Sequence, residues 1–178
     1  MAEVTRRCTG ELLRRLFEIL TPHAEGLQAR DALAAVEQSV ALSEYEQSTY
    51  ESGGRRFEKI VRFATVDCVK AEWLLKNKGR WIVTDAGKRA YSTFTDPEIF
   101  SKEAVRLYNE WKARQPDSDP EPQEGESQEP PTGKTARITF EEAEEQAWTE
   151  IEQYAGGMKP HEFQELVASL LRAMAMSR

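Results

Sequence analysis

The chain has 178 residues, a formal net charge of −7 and a hydrophobic content of 39%, enough apolar side chain for a core of about 90 residues but not for a fully globular chain. It has no apolar run typical of a signal peptide or a membrane span, which predicts a cytoplasmic protein without a membrane partner. Its two cysteines are far apart in sequence, which argues against a disulfide framework and favours reduced thiols.

Two amphipathic helices are predicted at the start of the chain. The first carries an apolar stripe after an N-cap at Thr9 and ends near Pro22. That stripe consists of Leu12, Leu13, Leu16, Phe17 and Leu20. The second helix is predicted from about Gln28 to Val40, and the polar stretch 41–54 is expected to be an irregular connection.

Residues 55–91 contain the most informative pattern of the chain. Apolar residues including Phe57, Ala64 and Cys68 recur at steps of three and four, which predicts a helix with one inward face and basic residues mostly on its other faces. Asn77-Lys78-Gly79 favours a tight turn, because glycine accepts the positive φ that a hairpin requires. Short strands are predicted at 74–76 and 80–83. We predict that the ring of Trp81 packs in the core of this hairpin and does not stack on a nucleic-acid base.

The charge of this region is opposite in sign to that of the whole chain. Between Gly54 and Arg80, eight Lys or Arg residues stand against three Asp or Glu residues. Such a stripe is typical of phosphate contacts, although a solvated helix face has the same composition. Basic residues at the hairpin tip favour the DNA interpretation. The predicted DNA-binding side chains are Arg55, Arg56, Lys59, Arg62, Lys76, Lys78 and Arg80.

Further helices are predicted on both sides of a linker. Thr84 caps a helix to about Tyr91, and Asp96-Pro97 starts another that reaches about Arg114. Residues 115–136 hold five of the eight prolines and six acidic residues, which predicts a disordered acidic linker. Two more helices are predicted in residues 137–178, the first capped at Thr139 and ending at Gly156-Gly157.

The predicted fold class is mainly α with a small β-hairpin wing. A winged helix-turn-helix domain is assigned to residues 1–114, the linker to 115–136 and a helical segment to 137–178. Two helices alone offer the apolar side chains of that segment too little to pack against. They could fold back on the first domain, associate with a second copy or stay loosely ordered, and we favour association with a second copy.

Two stretches carry motifs of a known family. The first contains Phe57, Phe63-Ala64, Leu74-Leu75 and Gly79-Arg80-Trp81-Ile82-Val83-Thr84-Asp85-Ala86-Gly87. It resembles the N-terminal winged-helix domain of Mrr-like restriction endonucleases over about residues 9–114. Residues 159–174, which begin Lys159-Pro160-His161-Glu162-Phe163, resemble the first helix of their nuclease domain. The hairpin is shorter than usual, and Ala175 stands where the family has a glycine after Met174.

The resemblance implies a type IV-like restriction endonuclease as the parent, acting on modified bacterial or invading DNA. Family nucleases hold a divalent cation with an Asp and a Glu/Gln-x-Lys group, which lie beyond the end of this chain, so we expect a truncated nuclease without catalytic residues. Glu110-Trp111-Lys112 has the Glu-x-Lys spacing, but that spacing is common on helices. We expect no cofactor, metal or small-molecule substrate here, and Mg²⁺ only for an intact family nuclease.

The sequence therefore predicts the DNA-binding portion of a Mrr-like restriction protein, with double-stranded DNA as its partner and self-association through residues 137–178. The alternative from another class is a winged-helix module for protein interaction or dimerisation that does not bind DNA. An intact nuclease is the third interpretation.

Overall fold

The described part of the chain is mainly helical and contains three short strands. The structure is a computed structural model that describes residues 6–50, 54–114 and 132–176. Within that part the elements are, in chain order, α1 (Arg6–Leu20), β1 (Leu27–Gln28), α2 (Ala29–Ser39), α3 (Glu44–Gln47), α4 (Arg56–Lys70), β2 (Leu74–Asn77), β3 (Arg80–Val83), α5 (Asp85–Thr93), α6 (Pro97–Ala113), α7 (Thr132–Gly157) and α8 (Pro160–Met176). No helix in these ranges is long and apolar enough to cross a membrane. The predicted fold class, mainly α with a small β wing, is confirmed.

The three strands form one antiparallel sheet in the order β1-β3-β2. In the β2–β3 hairpin, Asn77 pairs with Arg80 next to the turn. Lys78 and Gly79 at the tip have φ values of 51° and 74°. Two successive positive φ values are typical of a type I′ turn, whose twist matches that of the flanking strands. The predicted hairpin is therefore confirmed, whereas β1 was missed because two residues are too few to show a period.

The core lies between α1, α2, α4, α6 and the sheet. All five members of the apolar stripe on α1 are buried, as predicted, and so are Phe57, Ala64 and Cys68 on α4. Trp81 is fully buried in the same cluster, which confirms its assignment to the core of the wing. Burial also raises the pKa of the Cys68 thiol, so this cysteine stays protonated.

Close packing of α1 on α6 depends on Gly10. A Cβ atom at this position would lie 2.0 Å from the backbone oxygen of Pro97, the first residue of α6. Any larger residue would therefore push the two helices apart.

The two helices after the hairpin begin at the predicted caps. Thr84 Oγ1 accepts a hydrogen bond from the Gly87 N–H at 3.0 Å. Asp96 Oδ1 accepts one from the Ile99 N–H at 3.0 Å, with Pro97 in the first turn. Each cap satisfies a backbone donor that the first turn of a helix leaves without a partner.

Three helix boundaries differ from the prediction. Helix α1 begins at Arg6, so Thr9 lies inside it and does not cap it. The connection after α2 contains the short helix α3, which a capping box at Ser43 starts. Helix α7 begins at Thr132, within the predicted linker, so Thr139 is not its first residue. The rest of that linker, residues 115–131, lies outside the described residues.

The C-terminal helices have different surroundings. Helix α7 folds back onto the first domain, where Glu145 reaches Arg62 of α4 and Trp81 of β3. Helix α8 instead exposes an apolar row, which consists of Phe163, Val167, Leu170, Leu171 and Met174. Of the three arrangements considered for this segment, α7 shows the fold-back, because its carboxylates find basic partners on α4 and the hairpin. Association with a second copy stays a prediction.

Candidate nucleic-acid interface

The predicted DNA-binding side chains fall into two groups. One group lies at the start of α4 and contains Arg55, Arg56 and Lys59; the other lies on the β2–β3 hairpin and contains Lys76, Lys78 and Arg80. Arg62 lies further along α4. Arg55, Lys59 and Arg62 are spaced by four and three residues. They therefore lie along one face of α4, with Arg55 just before its first residue.

Arg55 is engaged inside the domain. Its Nη1 donates to Glu37 Oε2 at 2.8 Å, and its Nη2 donates to the other oxygen of the same carboxylate. The hydrogen bond from Arg55 lowers the pKa of the Glu37 carboxyl. This bidentate pair ties the start of α4 to α2. Arg55 therefore helps to position α4, and its positive charge is already paired with the carboxylate of Glu37.

Arg56 and Lys59 lie against tyrosine rings. The Arg56 guanidinium carbon lies 4.4 Å from the ring centroid of Tyr45 and 4.8 Å from that of Tyr50. Lys59 Nζ lies 4.9 Å from the Tyr50 centroid. These are cation–π contacts, in which the cation is attracted to the face of the aromatic ring. The two tyrosines belong to the connection between α2 and α4.

The hairpin cations lie beside Trp81 and α7. Lys76 Nζ is 4.9 Å from the Trp81 ring centroid. Lys78 at the tip is exposed, and its Nζ lies 5.0 Å from the ring centroid of Trp148 on α7. Arg80 Nε is 3.9 Å from Glu152 Oε1, also on α7. The basic hairpin thus meets the C-terminal segment at its tip and along β3.

Arg62 departs from the expectation that the basic residues of α4 lie on its exposed faces. Its side chain is only 7% exposed. Nη1 donates to Glu145 Oε2 at 2.6 Å, and Nε lies 3.4 Å from Glu142 Oε1. The physical reason is α7, which brings two carboxylates over this part of α4. A buried guanidinium needs such opposite charge, because its removal from water is otherwise costly.

Both carboxylate oxygens of Glu145 accept hydrogen bonds from the first domain. Arg62 donates to Oε2, and the Trp81 indole Nε1 donates to Oε1 at 3.1 Å. The helix backbone is also close to the hairpin turn, since a Cβ atom at Gly79 would lie 3.3 Å from Glu145 Cα. The Glu145 side chain is 13% exposed. A single acidic residue of α7 therefore fills a niche between α4 and the hairpin.

The surroundings of Glu145 disfavour the ionised form of its carboxyl. Burial raises the pKa of the Glu145 carboxyl above its usual range, although Arg62, Lys76 and the Trp81 indole all act to lower it. A raised pKa means that the loss of hydration costs more free energy than these partners return. The niche thus offers an anion three favourable partners, but for this carboxylate they do not offset the loss of hydration.

Sequence reasoning missed the α7 side of this contact. Glu142, Glu145, Trp148 and Glu152 all touch the first domain. Their spacing of three, three and four residues places them on one face of a helix, a signal that was present in the sequence. The predictions for this segment rested on its apolar side chains and did not use this row.

The described part of the chain shows no group of three or more His, Cys, Asp or Glu residues placed to hold a metal ion. Glu110, the acidic member of Glu110-Trp111-Lys112, lies on α6 and pairs with Arg106.

Comparison with known families identifies the first domain. Residues 10–93 match the family model described as the Mrr N-terminal domain. This range runs from α1 to the end of α5 and contains both groups of basic side chains. No curated protein and no solved structure matches the chain. Residues 10–93 of the chain therefore carry the N-terminal domain of the Mrr family.

Proposed function

We propose that the first domain binds duplex DNA as a winged helix. Helix α4 would enter the major groove, and the β2–β3 hairpin would contact the backbone or the minor groove. The observation that carries this proposal is the set of cations around the hairpin. Four basic side chains lie next to Trp81 or the turn: Arg62, Lys76, Lys78 and Arg80. A concentration of positive charge in an otherwise acidic chain is what phosphate binding requires.

The proposed role in a restriction system is to select the DNA. Lys59 and Arg56 on α4 are the side chains proposed to contact base edges, whereas the hairpin cations would hold phosphates and carry no sequence information. Modified or invading DNA is the proposed target, and the cytoplasm is the proposed compartment.

Duplex binding by the full chain should depend steeply on salt. Contacts with four to six phosphates predict a slope of log affinity against log salt of about −4 to −5. Fluorescence anisotropy with a labelled duplex at several salt concentrations measures this slope. A slope near zero, or no binding at low salt, would contradict the DNA-binding proposal.

A pair of lysine variants serves as the control for this titration. Lys78→Ala at the exposed hairpin tip should make the slope shallower by about 1, the share of one phosphate contact. Lys102→Ala removes the same charge from α6, where Lys102 pairs with Glu98. It should leave the slope unchanged.

The chain should not cleave DNA in Mg²⁺ or Mn²⁺. Two-metal or one-metal hydrolysis needs carboxylates that converge on the cation, and Glu110 is paired along its own helix with Arg106. Incubation of a supercoiled plasmid with the purified chain and either metal tests this expectation. Metal-dependent nicking that Glu110→Ala abolishes would overturn it.

The alternative function is a protein-interaction module, and α8 is the observation that favours it. Five apolar side chains of this helix are between 38% and 70% exposed on one face. Exposed apolar rows of this kind are typical of association surfaces, and a second copy of the chain is the partner that we propose for it. Concentration-dependent self-association with no duplex binding at low salt would favour this function over DNA binding.

A further inference from the structure

The contact between α7 and the first domain is formed mainly by acidic side chains, with Trp148 beside Lys78. Glu142 and Glu145 face Arg62, and Glu152 accepts a hydrogen bond from Gln28 Nε2 at 2.8 Å and lies beside Arg80. The apolar side chains of α7 contribute little, since Phe140, Ile151 and Tyr154 are at least 54% exposed. Helix α7 is therefore held on the first domain by charge and hydrogen bonds, and not by a shared hydrophobic core.

We propose that Arg62, Lys76 and the Trp81 indole N–H form a site for a backbone phosphate of duplex DNA, and that α7 occupies this site through Glu145 when DNA is absent. Helix α7 would thus be a built-in competitor of DNA. This inference rests on the proposed function, because it concerns the ligand of the same basic surface.

The hydrogen bonds to Glu145 are those that a phosphate would accept. One oxygen takes the Arg62 Nη1–H and the other takes the Trp81 Nε1–H, at 2.6 and 3.1 Å. The two non-bridging oxygens of a phosphodiester can accept the same pair of donors, and Arg side chains bind them well. The ammonium of Lys76 lies over the Trp81 ring and adds positive charge to the niche.

One donor in the niche is left without an acceptor. Arg62 Nε is buried and has no hydrogen-bond partner among the described residues, although Glu142 lies 3.4 Å away. A buried donor without a partner costs about 1–3 kcal/mol. The Arg62 guanidinium is therefore not fully satisfied while α7 is docked.

Several features make α7 displaceable. Burial raises the pKa of the Glu145 carboxyl, so docking works against the charge of the residue that fills the niche. An open groove also separates α7 from the start of α2, and Gln28, Arg30 and Gln146 are among its lining residues. A helix held in this way can leave without exposing a hydrophobic core.

The acidic row also has a length suited to a DNA strand. From Glu142 to Glu152 the helix rises by roughly 15 Å at 1.5 Å per residue. About five phosphates span a similar distance along the axis of one strand, at roughly 3.4 Å per nucleotide. Helix α7 therefore covers a stretch of the basic surface that would otherwise contact several nucleotides.

The test compares two double variants of the full chain. Glu142→Gln/Glu145→Gln removes the two charges that face Arg62 and should raise duplex affinity by roughly tenfold, a size typical of coupling between competing contacts. Glu144→Gln/Glu165→Gln changes the net charge equally, at two exposed residues outside the contact. This control should alter the affinity far less, because exposed charges at a distance are screened by salt.

Hydrogen exchange supplies a second readout that needs no variant. In the free wild-type chain, the amides of residues 142–152 should be protected by docking. A saturating duplex should make them exchange faster, although most protein segments become more protected when a ligand binds. The Glu142→Gln/Glu145→Gln variant should already exchange quickly in this region without DNA.

The outcomes separate the two proposals. If both variants bind the duplex like the wild type and protection of residues 142–152 does not change with DNA, α7 is not a competitor, while DNA binding stands. If neither the wild type nor the variants bind at low salt, the proposed function fails, and the phosphate site fails with it. A selective gain in affinity together with faster exchange of α7 supports both.

Discussion

Replacing Phe17 by alanine is expected to lower the free energy of unfolding of the first domain by about 3–5 kcal/mol. Phe17 is fully buried on α1, and its ring meets Phe100 of α6 edge to face, with centroids 5.2 Å apart. Phe100 in turn lies 5.0 Å from Trp73. Alanine would remove the first ring of this aromatic series and leave a cavity that the helices cannot close. Because domains are stable by only about 5–15 kcal/mol, the loss is large.

Denaturant unfolding followed by circular dichroism measures this change, and Phe140→Ala is the matched control. Phe140 lies on α7 and is 70% exposed, so the same truncation should change stability by less than about 0.5 kcal/mol. An equal or larger loss for Phe140→Ala would mean that α7 belongs to the cooperative core, which would also contradict its role as a displaceable helix.

The parts of the fold that could be read from the sequence are those set by local interactions. The turn at Lys78 and Gly79 and the cap at Thr84 each depend on residues within a few positions. The apolar stripe of α1 needs only the helical period to be recognised. Strand β1 escaped prediction because Leu27 and Gln28 owe their conformation to pairing with β3, across more than fifty residues.

The candidate site was only half visible in the sequence, for a similar reason. The cations of α4 and the hairpin stood out by composition, but the burial of Arg62 is caused by Glu145, which is 83 residues away. Charge counts showed a basic region and an acidic one without showing that they meet. Contacts between residues so far apart in sequence depend on the three-dimensional arrangement of the helices and strands. No local period or cap in the sequence encodes that arrangement.

The docking of α7 would also affect any measured affinity. If the basic surface is accessible for only a fraction of the time, the apparent dissociation constant is the intrinsic one divided by that fraction. Weak binding by the full chain would therefore not show that the first domain binds DNA poorly. Variants of the DNA surface are best compared in the Glu142→Gln/Glu145→Gln background as well as in the wild type.

Substitutions on α4 and on the hairpin should have different effects on sequence preference. Lys59→Ala is expected to weaken binding to a preferred duplex by about 1–3 kcal/mol, and to weaken binding to unrelated duplexes much less, if Lys59 contacts a base edge. Lys59 is a cleaner probe than Arg56, because the Arg56 guanidinium lies on both Tyr45 and Tyr50 and its removal would also disturb their packing. Arg80→Ala should weaken binding about equally for all duplexes, since a phosphate contact carries no sequence information.

Competition binding against a pool of random duplexes, followed by titration of the selected site, measures this difference. Arg89→Ala removes a charge from an exposed position on α5 and should leave both preference and affinity unchanged. Arg80 and Lys59 are both partly exposed, so neither substitution should unfold the domain. If Lys59→Ala and Arg80→Ala reduce binding by the same factor on every duplex, α4 does not read bases. The domain would then contact only the sugar-phosphate backbone of the DNA, and it would have to select its target by DNA shape.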